Sequence, residues 1–102
     1  MDKYDVYDLI RDGKTFAILS SGFDKYDLYE FTDRSKAHNN CLMIIDNGNL
    51  DKYEIMDLLE RGGRVQPNTE WDKHDVKKFI ESANRGNGLV ILQISNDSKW
   101  II

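Results

Sequence analysis

Apolar and polar residues recur along this chain in one fixed phrase. The phrase opens with an aspartate and a lysine, continues with a tyrosine or histidine and, in every copy, a second acid, and then places apolar residues at helical spacing. We number the positions of the phrase with the leading aspartate as position zero. The apolar residues then stand at the fourth, seventh and usually eighth positions, which form one stripe on a helix. The four copies occupy residues 2–10, 24–32, 51–59 and 72–80.

Three of the copies carry the signals that begin and end a helix. The leading aspartate suits an N-cap, and the acid three residues later resembles a capping box and suits the positive helix end. Glycine follows each of these copies, as is typical of a helix C-terminus. Thr69 competes with Asp72 as the cap of the last one. The pattern predicts helices at about residues 3–12, 51–61 and 70–84.

The second copy, residues 24–32, lacks these endings. It closes on Thr32 where the others have an aliphatic residue, and no glycine follows it. It is rich in tyrosine and phenylalanine, which favour strands, and it follows a predicted strand over residues 15–20 across a segment that resembles a hairpin turn. We interpret residues 26–32 as a strand, although the sequence leaves a helix open.

Further strands are predicted at residues 41–46, 89–95 and 99–102, between turn signals such as Asn47-Gly48. The resulting order α-β-β-β-α-α-β-β indicates an α+β fold, with about three helices on one face of an antiparallel sheet of four to five strands. The length of 102 residues and the single proline predict one small domain over residues 1–102.

The spacing of the copies does not favour a solenoid. The intervals of 22, 27 and 21 residues enclose different predicted structures, whereas a solenoid repeats one structure. The sequence leaves open two origins of the phrase: duplication of one segment, or independent use of the same helix-capping residues at four places.

The charge of the chain is unevenly distributed. The net charge is −4, with 13 acids against 7 bases in residues 1–60 and 5 acids against 7 bases in residues 61–102. An acidic surface disfavours nonspecific binding to nucleic acid or to anionic membranes, and it favours a partner with a basic surface.

The compartment follows from cysteine usage and hydropathy. Cys41 is the only cysteine, so no internal disulfide forms, which fits a reducing cytoplasm. The longest apolar run, residues 41–45, is too short to cross a bilayer, and no secretory signal is expected. Residues with A/T-rich codons outnumber those with G/C-rich codons, an association with low-GC bacteria and the viruses that infect them.

Acids and tyrosines share the phrases and supply the candidate partner-binding surface. Acids recur at every third residue, which on a helix forms a negative ridge. Such a ridge is either a solvated helix face or an imitation of the DNA phosphate backbone. Tyrosine is enriched at binding hot spots, but the sequence does not show which rings are exposed. The predicted partner-binding residues are Tyr4, Asp5, Asp8, Asp51, Glu54 and Asp57.

Two other classes of function stay open. A weakly basic patch on the third predicted helix could contact RNA. A small enzyme would need His38, Cys41 or His74 to converge with acids, and a calcium loop at residues 46–51 lacks the bidentate acid such loops require. No catalytic residues, metal or cofactor are therefore expected. The candidate nucleic-acid-binding residues of this alternative are Lys73, Lys77, Lys78 and Arg85.

The leading hypothesis is an acidic, non-enzymatic, cytoplasmic protein that binds and modulates a partner protein. Its size and composition fit an inhibitor of host machinery encoded by a virus or a mobile element. The alternatives are a nucleic-acid-related module, either a DNA mimic or a weak RNA binder, and a small enzyme. The sequence does not fix the oligomeric state.

Overall fold

A computed structural model of the chain describes residues 1–39 and 42–93. Within these ranges helices and strands alternate, so that each helix is followed by one strand. A short 3₁₀ turn, Ser20–Gly22, separates the first strand from the second helix. The elements are α1 (Lys3–Arg11), β1 (Phe16–Leu19), α2 (Lys25–Lys36), β2 (Leu42–Ile45), α3 (Lys52–Glu60), β3 (Arg64–Gln66), α4 (Lys73–Gly86) and β4 (Leu89–Val90).

The four strands form one sheet in the order β1-β2-β3-β4, and every neighbouring pair is parallel. The register aligns one inward-facing row across the sheet, namely Ile18, Ile44, Val65 and Val90. The prediction of an antiparallel sheet in the order α-β-β-β-α-α-β-β is therefore wrong, although the combination of helices with a four-stranded sheet is right. Parallel strands need a crossover connection, and here a helix stands in each one.

The error originates in the second phrase, which forms helix α2 and not a strand. Asp24 is its N-cap and accepts a hydrogen bond from the backbone N–H of Asp27 at 2.9 Å. The segment interpreted as a hairpin turn forms the 3₁₀ turn and this cap. Capping and the helical stripe outweigh the strand preference of tyrosine and phenylalanine, because that preference depends strongly on context.

The other three helices also begin at the leading aspartates of their phrases. Asp2 and Asp51 each form a complete capping box with the acid three residues later. Asp72, and not the competing Thr69, caps α4. The backbone turns left-handed at Asn87, with φ 58°, which ends α4. The helix predicted at residues 70–84 therefore begins and ends slightly later along the chain.

The predicted strands are shorter in the structure. Those at residues 15–20, 41–46 and 89–95 contain β1, β2 and β4, and the three-residue β3 was missed because it has a single apolar residue. The strand predicted at residues 99–102 lies outside the described residues.

The four helices form a single layer on one face of the sheet. Strand order follows chain order and parallel crossovers are right-handed, so each crossover places its helix on the same face. In agreement, α1 packs on α2, α2 on α3, and α3 on α4. The core lies between the two layers, and its largest fully buried side chains include Phe31, Phe79, Ile10, Leu28, Ile44, Ile55, Leu58 and Leu59.

Each interval between phrases holds the same helix–strand unit, so the argument against a repeating architecture was wrong. Equivalent positions have equivalent environments: the fourth position is buried in all four units, as Val6, Leu28, Ile55 and Val76. A helix advances about 100° per residue. The first, fifth and eighth positions therefore face the next helix, the third, sixth and tenth face the preceding helix, and the second faces solvent.

Candidate protein-binding surface

The second position of each phrase projects from the helix layer into solvent. Tyr4, Tyr26 and Tyr53 occupy it in the first three units, and they are 65%, 70% and 66% exposed. The lysine before each tyrosine lies over its ring, with Nζ 5.5, 5.3 and 5.4 Å from the ring centroids. Because the helices are parallel neighbours, the three rings stand in one row near the helix N-termini.

An acid follows each of these tyrosines by one helical turn. Asp8, Glu30 and Asp57 occupy the sixth position, all exposed, and residues i and i+4 share a helix face. The carboxylates of Asp8 and Glu30 pair with arginines of their own helices, at 2.8 and 2.9 Å. Exposed pairs of this kind contribute little stability, so the acids can exchange partners. The tyrosine–acid face consists of Tyr4, Asp8, Tyr26, Glu30, Tyr53 and Asp57.

The predicted partner-binding residues divide between this face and the helix caps. Tyr4, Asp8 and Asp57 belong to the face. The other three hold the starts of α1 and α3: the Asp5 carboxylate accepts from the backbone N–H of Asp2 at 3.0 Å, and Asp51 and Glu54 cap each other reciprocally. Of the six predicted residues, three therefore lie in the tyrosine–acid face and three serve as helix caps.

Tyr26 and Glu30 were missed because their phrase was interpreted as a strand. The signal was present, since a tyrosine followed four residues later by an acid occurs at the same positions of the first three phrases. The fourth unit has His74 and Lys78 at these positions, so the face changes its charge there.

Tyr7 and Tyr29 are not part of the exposed row, because both pack between helices. The Arg34 guanidinium lies 3.9 Å from the ring centroid of Tyr7, and that of Arg61 lies 4.4 Å from the ring centroid of Tyr29. The hydroxyl of Tyr29 donates to the Asp57 carboxylate at 3.2 Å. Burial of the ring, followed by the negative charge of Asp57 and this hydrogen bond, raises the pKa of Tyr29 to about 12.

The acidic ridges have local structural roles. Their first members cap helices, and several of the rest pair with arginines, including Asp33 with Arg61 at 2.9 Å and Glu60 with Arg85 at 2.8 Å. A DNA mimic needs an uninterrupted row of unpaired carboxylates. This pairing therefore weakens the mimic hypothesis.

The candidate nucleic-acid-binding residues are spread along α4. Lys73 and Lys77 are exposed and Lys78 is half-buried. Arg85 is already engaged, since its guanidinium donates to Glu60 and to the Ser82 hydroxyl. Lys73 and Arg85 are separated by about 18 Å of helix.

The two histidines considered for an enzyme lie on different parts of the helix layer. His38 follows the C-terminus of α2, and His74 lies in the first turn of α4. Because α2 and α4 run in the same direction, His38 lies near the C-terminal ends of the helices and His74 near their N-terminal ends. Cys41 lies outside the described residues. Across residues 1–39 and 42–93, no group of three or more His, Cys, Asp or Glu side chains is placed to hold a metal ion.

Asp46, the first residue of the loop that resembles a calcium site, has a structural role. It is 3% exposed, and its carboxylate accepts from the backbone N–H of Gly48 and from the backbone and side-chain N–H of Asn68. It also accepts from the indole N–H of Trp71 at 3.4 Å. Asp46 thus joins the loop after β2 to the loop after β3.

His38 contributes to a groove of about 310 Å³ at the C-terminal ends of α1 and α2. The other polar groups of the groove are Tyr7, Arg11 and Arg34, and both arginines are paired with acids of their own helices. The described residues that line this groove include no carboxylate.

No protein family, curated protein or solved structure shows a significant match to this chain. Among the helices that the structure describes, none is long and apolar enough to cross a membrane.

Proposed function

We propose that this protein is a non-enzymatic binding module that modulates a partner protein, and that it contacts this partner through the tyrosine–acid face. The observation that carries the proposal is the threefold repetition of an exposed tyrosine with an acid one turn away. A tyrosine ring gives a large contact area at low entropic cost, and binding energy concentrates in such anchors.

The chemistry of the face favours a partner with a basic surface. The acids of the face can pair with lysine or arginine side chains, while the three rings supply apolar contact. The internal arginine pairs of Asp8 and Glu30 are exposed and therefore easily replaced. Complementary charge mainly accelerates association and selects the partner, and the tyrosines supply most of the affinity.

We further propose that the module acts in the cytoplasm, because its single cysteine cannot form an internal disulfide, which fits a reducing compartment. The abundance of residues whose codons are A/T-rich supports a modulator that is encoded by a virus or a mobile element and inhibits host machinery.

The test is capture of partners from a lysate of the native source on immobilised protein. The double variant Tyr26→Ala/Tyr53→Ala should lose the captured protein, because it removes two of the three rings. Both side chains are about two-thirds exposed, so the variant should fold normally. Far-ultraviolet circular dichroism checks this point.

A matched control changes two exposed apolar residues on the opposite face of the molecule. Leu19 and Leu89 are 53% and 47% exposed on the sheet, and Leu19→Ser/Leu89→Ser should retain the partner. Capture that persists in the tyrosine variant, or that is lost only in the sheet variant, contradicts the proposed face. Capture abolished by nuclease would favour the nucleic-acid alternative.

A further inference from the structure

We propose that copies of this protein associate head to tail, with helix α4 of one copy packed against helix α1 of the next, so that the helix–strand repeat continues across the junction. The contacts between units inside the chain define how such a junction forms. The two exposed ends of the helix layer carry the matching residues.

The first contact rule joins the first position of one helix to the third position of the next. Lys3 Nζ of α1 lies 3.9 Å from Asp27 Oδ1 of α2. Lys52 Nζ of α3 lies 4.0 Å from Asp75 Oδ1 of α4. A lysine of one helix therefore meets an aspartate of the next at two of the three internal junctions.

The second contact rule joins the fifth position of one helix to the sixth or tenth position of the next. Tyr7 of α1 lies under Arg34, the tenth position of α2. Tyr29 of α2 contacts both Asp57 and Arg61, the sixth and tenth positions of α3. The partners at these positions are a ring with a cation or an acid.

The end of the array at α4 carries cations at the first and fifth positions, where Lys77 replaces the ring that the second rule has in α1 and α2. Lys73 and Lys77 occupy the first and fifth positions, are exposed, and form no ion pair within the described part of the chain. Ile80 at the eighth position is 41% exposed, whereas its counterparts Ile10, Thr32 and Leu59 are at most 2% exposed beneath the following helix. In the first three units the following helix covers the eighth position, and no helix follows α4 among the described residues.

The other end, at α1, carries the second half of both rules. Asp5, Asp8 and Asp12 occupy the third, sixth and tenth positions and are exposed. Leu9 at the seventh position is only partly buried, whereas Leu58 at the same position of α3 is completely buried.

Continuing the repeat across two copies places opposite charges together. Lys73 would meet Asp5 of the next copy by the first rule, and Lys77 would meet Asp8 and Asp12 by the second. The junction also brings the outer edge of β4 to the outer edge of β1. Both edges lack a strand partner among residues 1–39 and 42–93. Complementary charge on two different faces of one chain selects a second copy as the occupant, and the contact is heterologous, so it builds open chains.

Sedimentation velocity of the full chain over a concentration series at low salt tests this association. The weight-average mass should rise continuously past the dimer, and the rise should weaken with salt because the junction pairs charges. Lys73→Glu/Lys77→Glu should weaken association at least about tenfold by placing like charges at the junction. Lys25→Glu/Lys36→Glu makes the same change in net charge on α2, away from the α1 and α4 ends, and should have little effect.

A mixing experiment distinguishes head-to-tail chains from a symmetric dimer. Asp8→Lys/Asp12→Lys disables the α1 end and adds cations near a helix C-terminus, which that terminus tolerates. This variant alone and Lys73→Glu/Lys77→Glu alone should each be monomeric. Their mixture should associate past the dimer, because the intact ends pair at one junction and the reversed charges at positions 73 and 77 meet the reversed charges at positions 8 and 12 at the next. A wild-type protein that is monomeric up to about 1 mM, or a mixture that stays monomeric, would overturn the proposal.

Discussion

The junction between α2 and α3 and the junction between α3 and α4 solve the same packing problem in two ways. Long side chains cross the first: Tyr29 contacts Arg61 and Asp57, and Arg61 reaches Asp33. The second also has ion pairs, Lys52 with Asp75 and Glu60 with Arg85, but its glycines determine how closely the backbones approach. A Cβ atom on Gly86 would lie 2.1 Å from the carbonyl oxygen of Glu60.

This difference shows that the repeated phrase determines where each helix begins but not how closely it approaches its neighbour. Helix separation depends on the side chains at the contact. Apart from Tyr29, those residues are in the second half of each helix or beyond it, where the four units share the least sequence. The consequences of changing the two junctions should therefore differ in size and in sign.

The largest effect is expected at the glycine junction. Gly86→Ala should lower the free energy of unfolding by about 3 kcal/mol, because the new methyl group meets backbone that cannot move aside without separating α3 from α4. Urea denaturation followed by circular dichroism measures the change.

Gly22→Ala is the matched control for this substitution. A Cβ at Gly22 meets nothing within 4 Å, so the change in unfolding free energy should stay within about 0.5 kcal/mol. Equal stability of the two variants would show that α3 and α4 are farther apart than the structure places them.

An effect of opposite sign is expected at the junction of long side chains. Thr32 is 2% exposed, and its hydroxyl has no hydrogen-bond partner within residues 1–39 and 42–93. Thr32→Val removes this buried hydroxyl and nearly preserves the shape of the side chain. We expect a gain of about 1 kcal/mol in the free energy of unfolding, because an unsatisfied buried polar group carries a desolvation penalty.

The same substitution at the exposed Thr15 is the control, and it should be close to neutral. A loss of stability in Thr32→Val, measured by the urea midpoint, would indicate that the hydroxyl has a partner and would remove the contrast with the glycine junction.

Thr32 also explains what could be read from the sequence and what could not. Capping boxes and the helical stripe correctly located α1, α3 and α4, because those signals are local. Thr32 at a stripe position suggested that the second phrase was no helix, yet tertiary packing buries it there at an energetic cost. The parallel sheet was missed as a consequence, since strand direction depends on whether a helix stands between two strands.

The candidate site was predictable to a similar degree. Tyr4, Asp8 and Asp57, which were predicted from the phrase alone, lie in the tyrosine–acid face, and their role in binding stays a prediction. To separate the helix caps from the tyrosine–acid face, one must know which carboxylates accept hydrogen bonds from backbone N–H groups, as those of Asp5 and Glu54 do. The repeated position of the tyrosines contained this information only once all four phrases were known to be helices.

The smallest effect on stability at neutral pH is expected from substitution of Tyr29. Its ionisation at high pH probes the α2–α3 junction most directly. Its folded-state pKa is raised to about 12 from an unfolded value of 10.0. Below the unfolded pKa the phenol is neutral in both states, and its contribution to stability is fully present. As the pH rises from about 10 to about 12, the unfolded state ionises first, so this contribution is lost.

Tyr29→Phe should therefore flatten the dependence of unfolding free energy on pH in this window, and it should change the stability less at pH 7 than Gly86→Ala does. The difference between the ultraviolet titration curves of wild type and variant isolates the ionisation of Tyr29. A difference curve centred near pH 12 supports the partial burial of the Tyr29 ring and its contact with Asp57. A curve centred near pH 10 would mean that the Tyr29 ring is solvated and does not pack between α2 and α3. The difference in packing between the α2–α3 and α3–α4 junctions would then be smaller than their side chains indicate.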